Sequence, residues 1–315
     1  MDHIFVADIH IKLGQKNVPS EWQRNRVMLL AKELNEYKDK TLVIGGDLLD
    51  VAKPTMPEVC LMYDFLRALE HEEIILIPGN HEMLTKKKDC FEVCDQIFKD
   101  LNITLVRDFQ TINNVDYIPY NILLSDSWST PKSTLAVTHV RGEIPPHVKP
   151  EVELSKFSHY EKVFCGDLHS RKNSQLNLIY PGSPYTTSFH RSVSKGANGI
   201  VLFDSNTGEH EWKELNLPQL LRLTITDPEE AIPGEYHHTL YEIEGNLADL
   251  SKVKNNELLD KKVAKDIVTP PTLELTGDIS DELQTYLKGV KDIKGEGMSR
   301  LLTIFKEALQ GVDDV

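Results

Sequence analysis

Three short apolar runs separated by helix-periodic segments open this chain, and that order constrains its fold more than any other feature. Ile4–Ala7, Thr41–Ile44 and Ile74–Ile77 have the length and composition of buried strands. Between the first two, Ser20 and Gln23 form a capping box ahead of Val27, Leu30, Ala31 and Leu34, which recur at helical spacing. Between the second and third, Val59, Met62, Leu66 and Leu69 mark another helix. A β-α-β-α-β order implies largely parallel pairing, with the helices packed on the sheet. Beyond Tyr117 strands dominate, at Thr134–Thr138, Lys162–Cys165, Leu178–Tyr180 and Ile200–Phe203. The expected class is α/β, and a mixed sandwich accommodates these strands better than a doubly wound sheet.

The pattern changes after the turn-rich segment Asp204–Gly208. Leu220–Thr226, Thr239–Ile243 and Thr272–Leu275 predict strands of a small α+β module. Two helical stripes follow, one of Ile279, Leu283, Tyr286, Leu287 and Val290, the other of Met298, Leu301, Leu302, Phe305 and Leu309. The expected domains are therefore 1–208, 209–277 and 278–315.

No segment approaches ~18 uninterrupted apolar residues, and the opening residues do not resemble a signal peptide. A cytoplasmic protein that does not engage membranes is expected, in the host cytoplasm if the chain is viral. The four cysteines, Cys60, Cys90, Cys94 and Cys165, are too sparse for a disulfide framework. Cys90 and Cys94 read as reduced thiols on an amphipathic helix, since no second Cys/His pair lies nearby to complete a zinc site. The net charge of -14 argues against a general electrostatic nucleic-acid binder but not against a nuclease, whose metal ligands are themselves acidic.

Five polar motifs carry the chemistry, four of them directly after an apolar strand. Ligands gather beyond the carboxyl ends of strands in open α/β sheets, so the motifs are expected in one crevice. Asp8-Ile9-His10 places two ligands at alternate positions. Gly46-Asp47-Leu48-Leu49-Asp50 offers a carboxylate in a tight turn, suited to bridging two cations. Pro78-Gly79-Asn80-His81-Glu82 combines a neutral oxygen ligand with an imidazole placed to transfer protons. Thr138-His139 ends another strand, and Gly166-Asp167-Leu168-His169 repeats the alternate spacing of the first motif.

This series resembles the calcineurin-like metallophosphoesterase superfamily, over about the first two thirds of the chain. The resemblance implies a two-layer β-sandwich flanked by helices and carrying a dinuclear metal site. Tyr180-Pro181-Gly182-Ser183-Pro184-Tyr185, followed by Ser188-Phe189, resembles the Tyr-Pro-Gly-Ser segment of the SbcD exonuclease family. That family includes bacteriophage recombination nucleases and the nuclease subunit of eukaryotic double-strand-break repair. Carried over by position, Asp8, His10 and His169 would hold one metal, Asn80, His139 and Asp167 the other, with Asp47 bridging. Asp167 stands where the family commonly has histidine, and its carboxylate favours Mn²⁺ or Mg²⁺ over softer ions, Mn²⁺ being the first choice. The family's acidic tail is absent, since His190-Arg191 follows Phe189.

The same resemblance implies that His81 protonates the leaving 3′-oxygen with Asp50 as its orienting partner. Arg141 or Arg191 is either a phosphate contact or an exposed surface arginine, and Lys86-Lys87-Lys88 is either a DNA-steering patch or a solvated loop. Residues 209–277 would cap the DNA approach, and the terminal helical pair would bind an SbcC-type coiled-coil ATPase, the alternative being a helical hairpin that packs on its own domain, with a homodimer left open. The implied function is an Mn²⁺-dependent DNA nuclease, both exonuclease and single-strand endonuclease, within an SbcCD-like recombination and repair complex. Two rivals stand beside it: a phosphodiesterase or phosphatase acting on a small phosphoester or phosphoprotein, and a non-catalytic scaffold.

Overall fold

A computed structural model describes residues 1–125, 127–128 and 130–263, together with residues 283, 297, 299–301 and 303–305. Two compact units divide it, Met1–Lys262 and Val263–Val315. Apart from Leu283, Leu301 and Phe305, which are helical, the expected C-terminal stripes lie outside the described residues, as does the strand expected at Thr272–Leu275.

The first sheet is built from β1 (His3–Val6), β2 (Thr41–Gly45), β3 (Ile74–Ile77) and β4 (Ile103–Leu105), all parallel. On the other side of β1 run β10 (Gly199–Phe203) and β11 (His210–Glu214), both antiparallel to their neighbours, giving the order β11-β10-β1-β2-β3-β4. The second sheet has the order β5-β6-β7-β8-β9, from β5 (Gln110–Ile112), β6 (Val115–Ile118), β7 (Leu135–His139), β8 (Lys162–Gly166) and β9 (Leu178–Ile179). Only β5 is antiparallel there.

Alternation along β1 explains how the layers stack, because successive side chains leave a strand on opposite faces. Phe5 and Ala7 point into an apolar layer shared with Tyr117, Val137 and Phe164 of the second sheet, so the two sheets face each other as a sandwich. Ile4 and Val6 point the other way, into a layer with Val27, Leu30 and Leu34 of α1 (Ser20–Asn35) and Met62, Phe65 and Leu66 of α2 (Met56–Ala68). The outer face of the second sheet is closed by loops through Trp128, Phe157 and Tyr160 rather than by long helices.

The expected capping box is not at α1. Ser20 already lies inside the helix, after Pro19, and its hydroxyl donates to the Leu13 carbonyl instead. A capping box does open α2, where Thr55 and Glu58 satisfy each other's backbone groups. Cys90–Cys94 is a 3₁₀ turn rather than an amphipathic α-helix, with both thiols buried beside α3 (Asp95–Asp100).

A third sheet, β12 (Leu220–Ile225), β13 (His238–Gly245) and β14 (Leu259–Val263), has α4 (Leu247–Lys252) beside it. β12 and β13 pair in parallel, with Leu220 opposite His238.

Candidate metal centre

The loops that leave β1, β2, β3, β7 and β8 at their carboxyl ends meet at one edge of the sandwich. Asp8 N–H donates to the Gly46 carbonyl at 3.1 Å, His10 N–H to the Asp47 carbonyl at 2.9 Å and Ile11 N–H to Leu48 at 2.8 Å, so the first two motifs run side by side. Asp8, His10, Asp47 and Asp167 all hold left-handed backbone, with φ of 58°, 48°, 52° and 95°. Non-glycine residues adopt this only where the surroundings enforce it, and such strain concentrates at functional sites. Gly46 and Gly79 permit the close packing: a Cβ on Gly46 would stand 2.4 Å from the His139 ring, and one on Gly79 would stand 2.3 Å from Asp47 Oδ1.

His139 and His169 are held through Nδ1, leaving Nε2 turned inward, while His10 Nδ1 makes an ion-pair contact rather than a hydrogen bond. His139 Nδ1 donates to the Gly45 carbonyl at 2.9 Å, His169 Nδ1 lies 3.0 Å from Thr187 Oγ1, and His10 Nδ1 lies 3.4 Å from Asp50 Oδ1. Outer partners of this kind fix the ring and its tautomer in metal sites. His10 Nε2 and His169 Nε2 then face each other at 3.1 Å. Asp47 Oδ2 lies 3.5 Å from His10 Nε2, 3.4 Å from His139 Nε2 and 3.9 Å from His81 Nε2. One terminal atom of the Asn80 amide is 2.9 Å from His139 Nε2 and 3.1 Å from both Asp47 oxygens. With oxygen at that position, only acceptors converge there, and a cation is the species that serves them all.

Three sets bring one ligand atom per residue within 4.8 Å of each other: Asp8 with His10 and His169, His10 with Asp47 and His81, and Asp8 with Asp47 and His139. Imidazoles and carboxylates in this mixture, all buried but for His81 and His169, are a donor set that two adjacent divalent cations fit. The electrostatics agree. Burial pushes the Asp8 carboxyl up, with Asp47 adding to it against the pull of His139 and His169. Burial opposes ionisation of Asp47 too, but His139, by charge and hydrogen bond, outweighs it and holds Asp47 well below the usual carboxylate range. Burial would lower His139, yet Asp47 and Asp8 raise it well above an ordinary histidine. The centre attracts positive charge.

Sequence reasoning assigned no role to Glu82, which proves central to the site's architecture. Its fully buried carboxylate accepts from the N–H groups of Gly79, Asp47 and Leu49 at 2.8, 3.0 and 2.8 Å, tying the third motif to the second. Burial first, then the charge of Asp47, raises its pKa to about 7. The only signal was its place as the last residue of a chemistry-bearing motif. The Tyr180–Tyr185 segment likewise acts as scaffold: Ser183 Oγ and Tyr185 Oη donate at 2.7 Å to the carbonyls of Asp8 and Ile9, and Arg26 lies 4.0 Å over the Tyr185 ring.

His81 stands at the mouth of the crevice, its side chain 41% exposed. Its orienting contact differs from the expected one. Nδ1 donates to the backbone carbonyl of Asp50 at 2.5 Å, while the Asp50 carboxylate is drawn to Lys12 at 2.6 Å and to His10. Lys12 is a full charge within reach, and it takes the carboxylate. Asp167 lies in none of the three sets; both its oxygens face Arg141 at 3.1 Å. Arg191 sits away from the centre, bonded to Glu242 and Thr224 of the third sheet. Lys87 and Lys88 form a turn on Thr85 Oγ1, with Lys88 3.6 Å from Glu92. Beyond His169 opens a polar cavity of about 570 Å³, lined by Lys172, Thr187, Ser188, His190 and Lys195 among others.

A family model described as calcineurin-like phosphoesterase matches residues 1–171. The "Probable exonuclease subunit 1" of Escherichia phage T5 is 41% identical over 313 residues, covering 95% of this chain and 96% of that protein. "Putative phosphoesterase 244L" of Invertebrate iridescent virus 6 is 22% identical over 247 residues, 70% of this chain and 84% of that protein. "DNA double-strand break repair protein Mre11" of Nanoarchaeum equitans (strain Kin4-M) is 26% identical over 92 residues, 28% of this chain and 26% of its own length.

Proposed function

The chain belongs to the calcineurin-like phosphoesterase family, and on that premise we propose that it is an Mn²⁺-dependent DNA nuclease, the nuclease subunit of an SbcCD-like recombination and repair complex. The observation that carries this reading is the convergence of His10 and His169 Nε2 at 3.1 Å on Asp8, beside a second group formed on Asp47. In the proposed site, Asp8, His10 and His169 hold one ion, Asn80 and His139 the other, and Asp47 lies between them. Such ions supply activation of a water nucleophile and neutralise charge on the phosphoryl oxygens.

The chain's own groups do the rest. Asp47, fixed by His81 N–H at 3.0 Å and by the Glu82 clamp, keeps the two positions at a set separation. His81, its Nδ1 committed to the Asp50 carbonyl, holds Nε2 3.9 Å from Asp47 Oδ2 on a partly exposed ring at the crevice mouth, where it can give a proton to the leaving oxygen. The polar cavity beyond His169, with Lys172 and Lys195 on its walls, suits a nucleic-acid strand running past the scissile phosphate. The likeness to a phage T5 exonuclease subunit and an archaeal double-strand break repair protein favours DNA over a small ester.

Residues 209–277 are assigned to shaping DNA access and 278–315 to binding a coiled-coil ATPase. Removing residues from 278 onward should spare Mn²⁺-dependent cleavage and abolish ATPase co-purification; a complex that survives this deletion rules the assignment out. For the activity itself, purified chain with Mn²⁺ is offered linear double-stranded DNA, single-stranded DNA and a chromogenic phosphodiester. DNA cleavage that stops with chelator is expected, and hydrolysis of the small ester alone would sink the nuclease reading.

A further inference from the structure

Asp167 and Arg141 form a pair that the metal positions leave unexplained. The two parallel contacts, Nε to Oδ2 and Nη2 to Oδ1, both at 3.1 Å, are the fork-to-fork geometry of a bidentate guanidinium–carboxylate pair, and they use one edge of the guanidinium. Asp167 is fixed from its backbone as well: φ is 95°, and its N–H donates to both Asp8 oxygens at 2.9 and 3.2 Å. Its side chain is only 5% exposed, whereas that of Arg141 is 40% exposed. Arg141 follows His139 by two residues at the end of β7, which pairs with β8, the strand that leads into Asp167. The guanidinium therefore stands beside the second metal position at the rim of the crevice. Its backbone N–H is held by Glu151 at 3.0 Å, and its Nη1 donors have no hydrogen-bond partner among the described residues.

Charge supports the same division of labour. A neutral histidine at position 167 would add a ligand without charge. Aspartate adds one negative charge and Arg141 balances it, with the Glu151 carboxylate also 3.8 Å from Nε, so the pair adds no net charge to the centre while bringing guanidinium donors to the rim. We infer that Asp167 is a positioning residue that aims Arg141 at the substrate phosphate, and that the second metal position is held by three side chains, Asp47, Asn80 and His139. Arginine suits the task because its planar donors bind a phosphoryl group by two contacts at once. The inference rests on the two-metal phosphodiesterase reading but not on DNA being the substrate.

The test compares full-length wild type with Asp167→Asn, Arg141→Lys and the double variant. Mn²⁺ binding is followed by calorimetry and by electron paramagnetic resonance. Turnover of bis(4-nitrophenyl) phosphate is followed at saturating Mn²⁺, and melting confirms folding. Asp167→Asn should bind both equivalents of Mn²⁺ with wild-type affinity. KM should rise about tenfold in each single variant, as expected for one charge-assisted contact, with kcat less affected and the double variant no worse than either single one. Loss of one Mn²⁺ equivalent in Asp167→Asn would make it a ligand and overturn the inference. An unchanged KM in Arg141→Lys would overturn it as well. Because the small diester and the metal titration do not involve DNA, failure on DNA alone counts against the nuclease reading and leaves this result standing.

Discussion

Asp47 is the residue on which the centre turns. Its Oδ2 faces three imidazoles and its Oδ1 accepts from His81 N–H, all from a left-handed backbone that costs a non-glycine residue about 1–2 kcal/mol. Asparagine tolerates that backbone better than most residues, which makes Asp47→Asn a clean probe. The variant should melt like wild type yet lose Mn²⁺-dependent hydrolysis, and retained hydrolysis would end the two-metal reading. His81 is a different case, since it hangs from the Asp50 carbonyl at the mouth of the crevice. His81→Ala should titrate Mn²⁺ normally while kcat falls by roughly 10²–10⁴, the usual worth of a positioned proton donor. Unchanged turnover would remove its role.

At the scale of elements, the loops after β2 and β3 are joined by Glu82, whose three backbone contacts none of its neighbours can replace. Glu82→Gln puts an amide NH₂ among N–H donors and should cost about 1–3 kcal/mol, read as a lower Tm together with weaker Mn²⁺ binding. A variant with wild-type Tm and Mn²⁺ affinity would show that the clamp is dispensable. Much of this level was legible in the sequence. The strands β1, β2 and β3 are continuous apolar runs because helices cover one face and the second sheet covers the other, and each ends at its motif. β11, with the sequence His-Glu-Trp-Lys-Glu, was not, because an exposed edge strand carries no buried stripe. The α1 capping box failed for a local reason, since Ser20 satisfies Leu13 instead of the helix end. Glu82 and Ser183 escaped because their partners are backbone groups distant in sequence, which no spacing rule encodes.

For the whole molecule, the net charge of -14 argues against broad electrostatic capture of nucleic acid, so the proposed substrate would be recognised locally. Lys172 and Lys195 at the cavity supply positive charge where a phosphate chain would pass, and Arg141 at the rim, its charge balanced by Asp167, supplies hydrogen-bond donors.

The candidate ligands also come from both layers of the sandwich: Asp8, His10, Asp47 and Asn80 follow strands of the first sheet, and His139 and His169 follow strands of the second. Cations seated there would act as rivets between the two layers. Ion loading then becomes a mechanical matter as well as a chemical one. Mn²⁺ at a hundred times its Kd should stabilise the fold by about 2.7 kcal/mol, raising Tm accordingly. Amide hydrogen exchange should slow together in β2 and β7, on opposite sides of the seam, and protection confined to one sheet would show that the layers are not coupled through it.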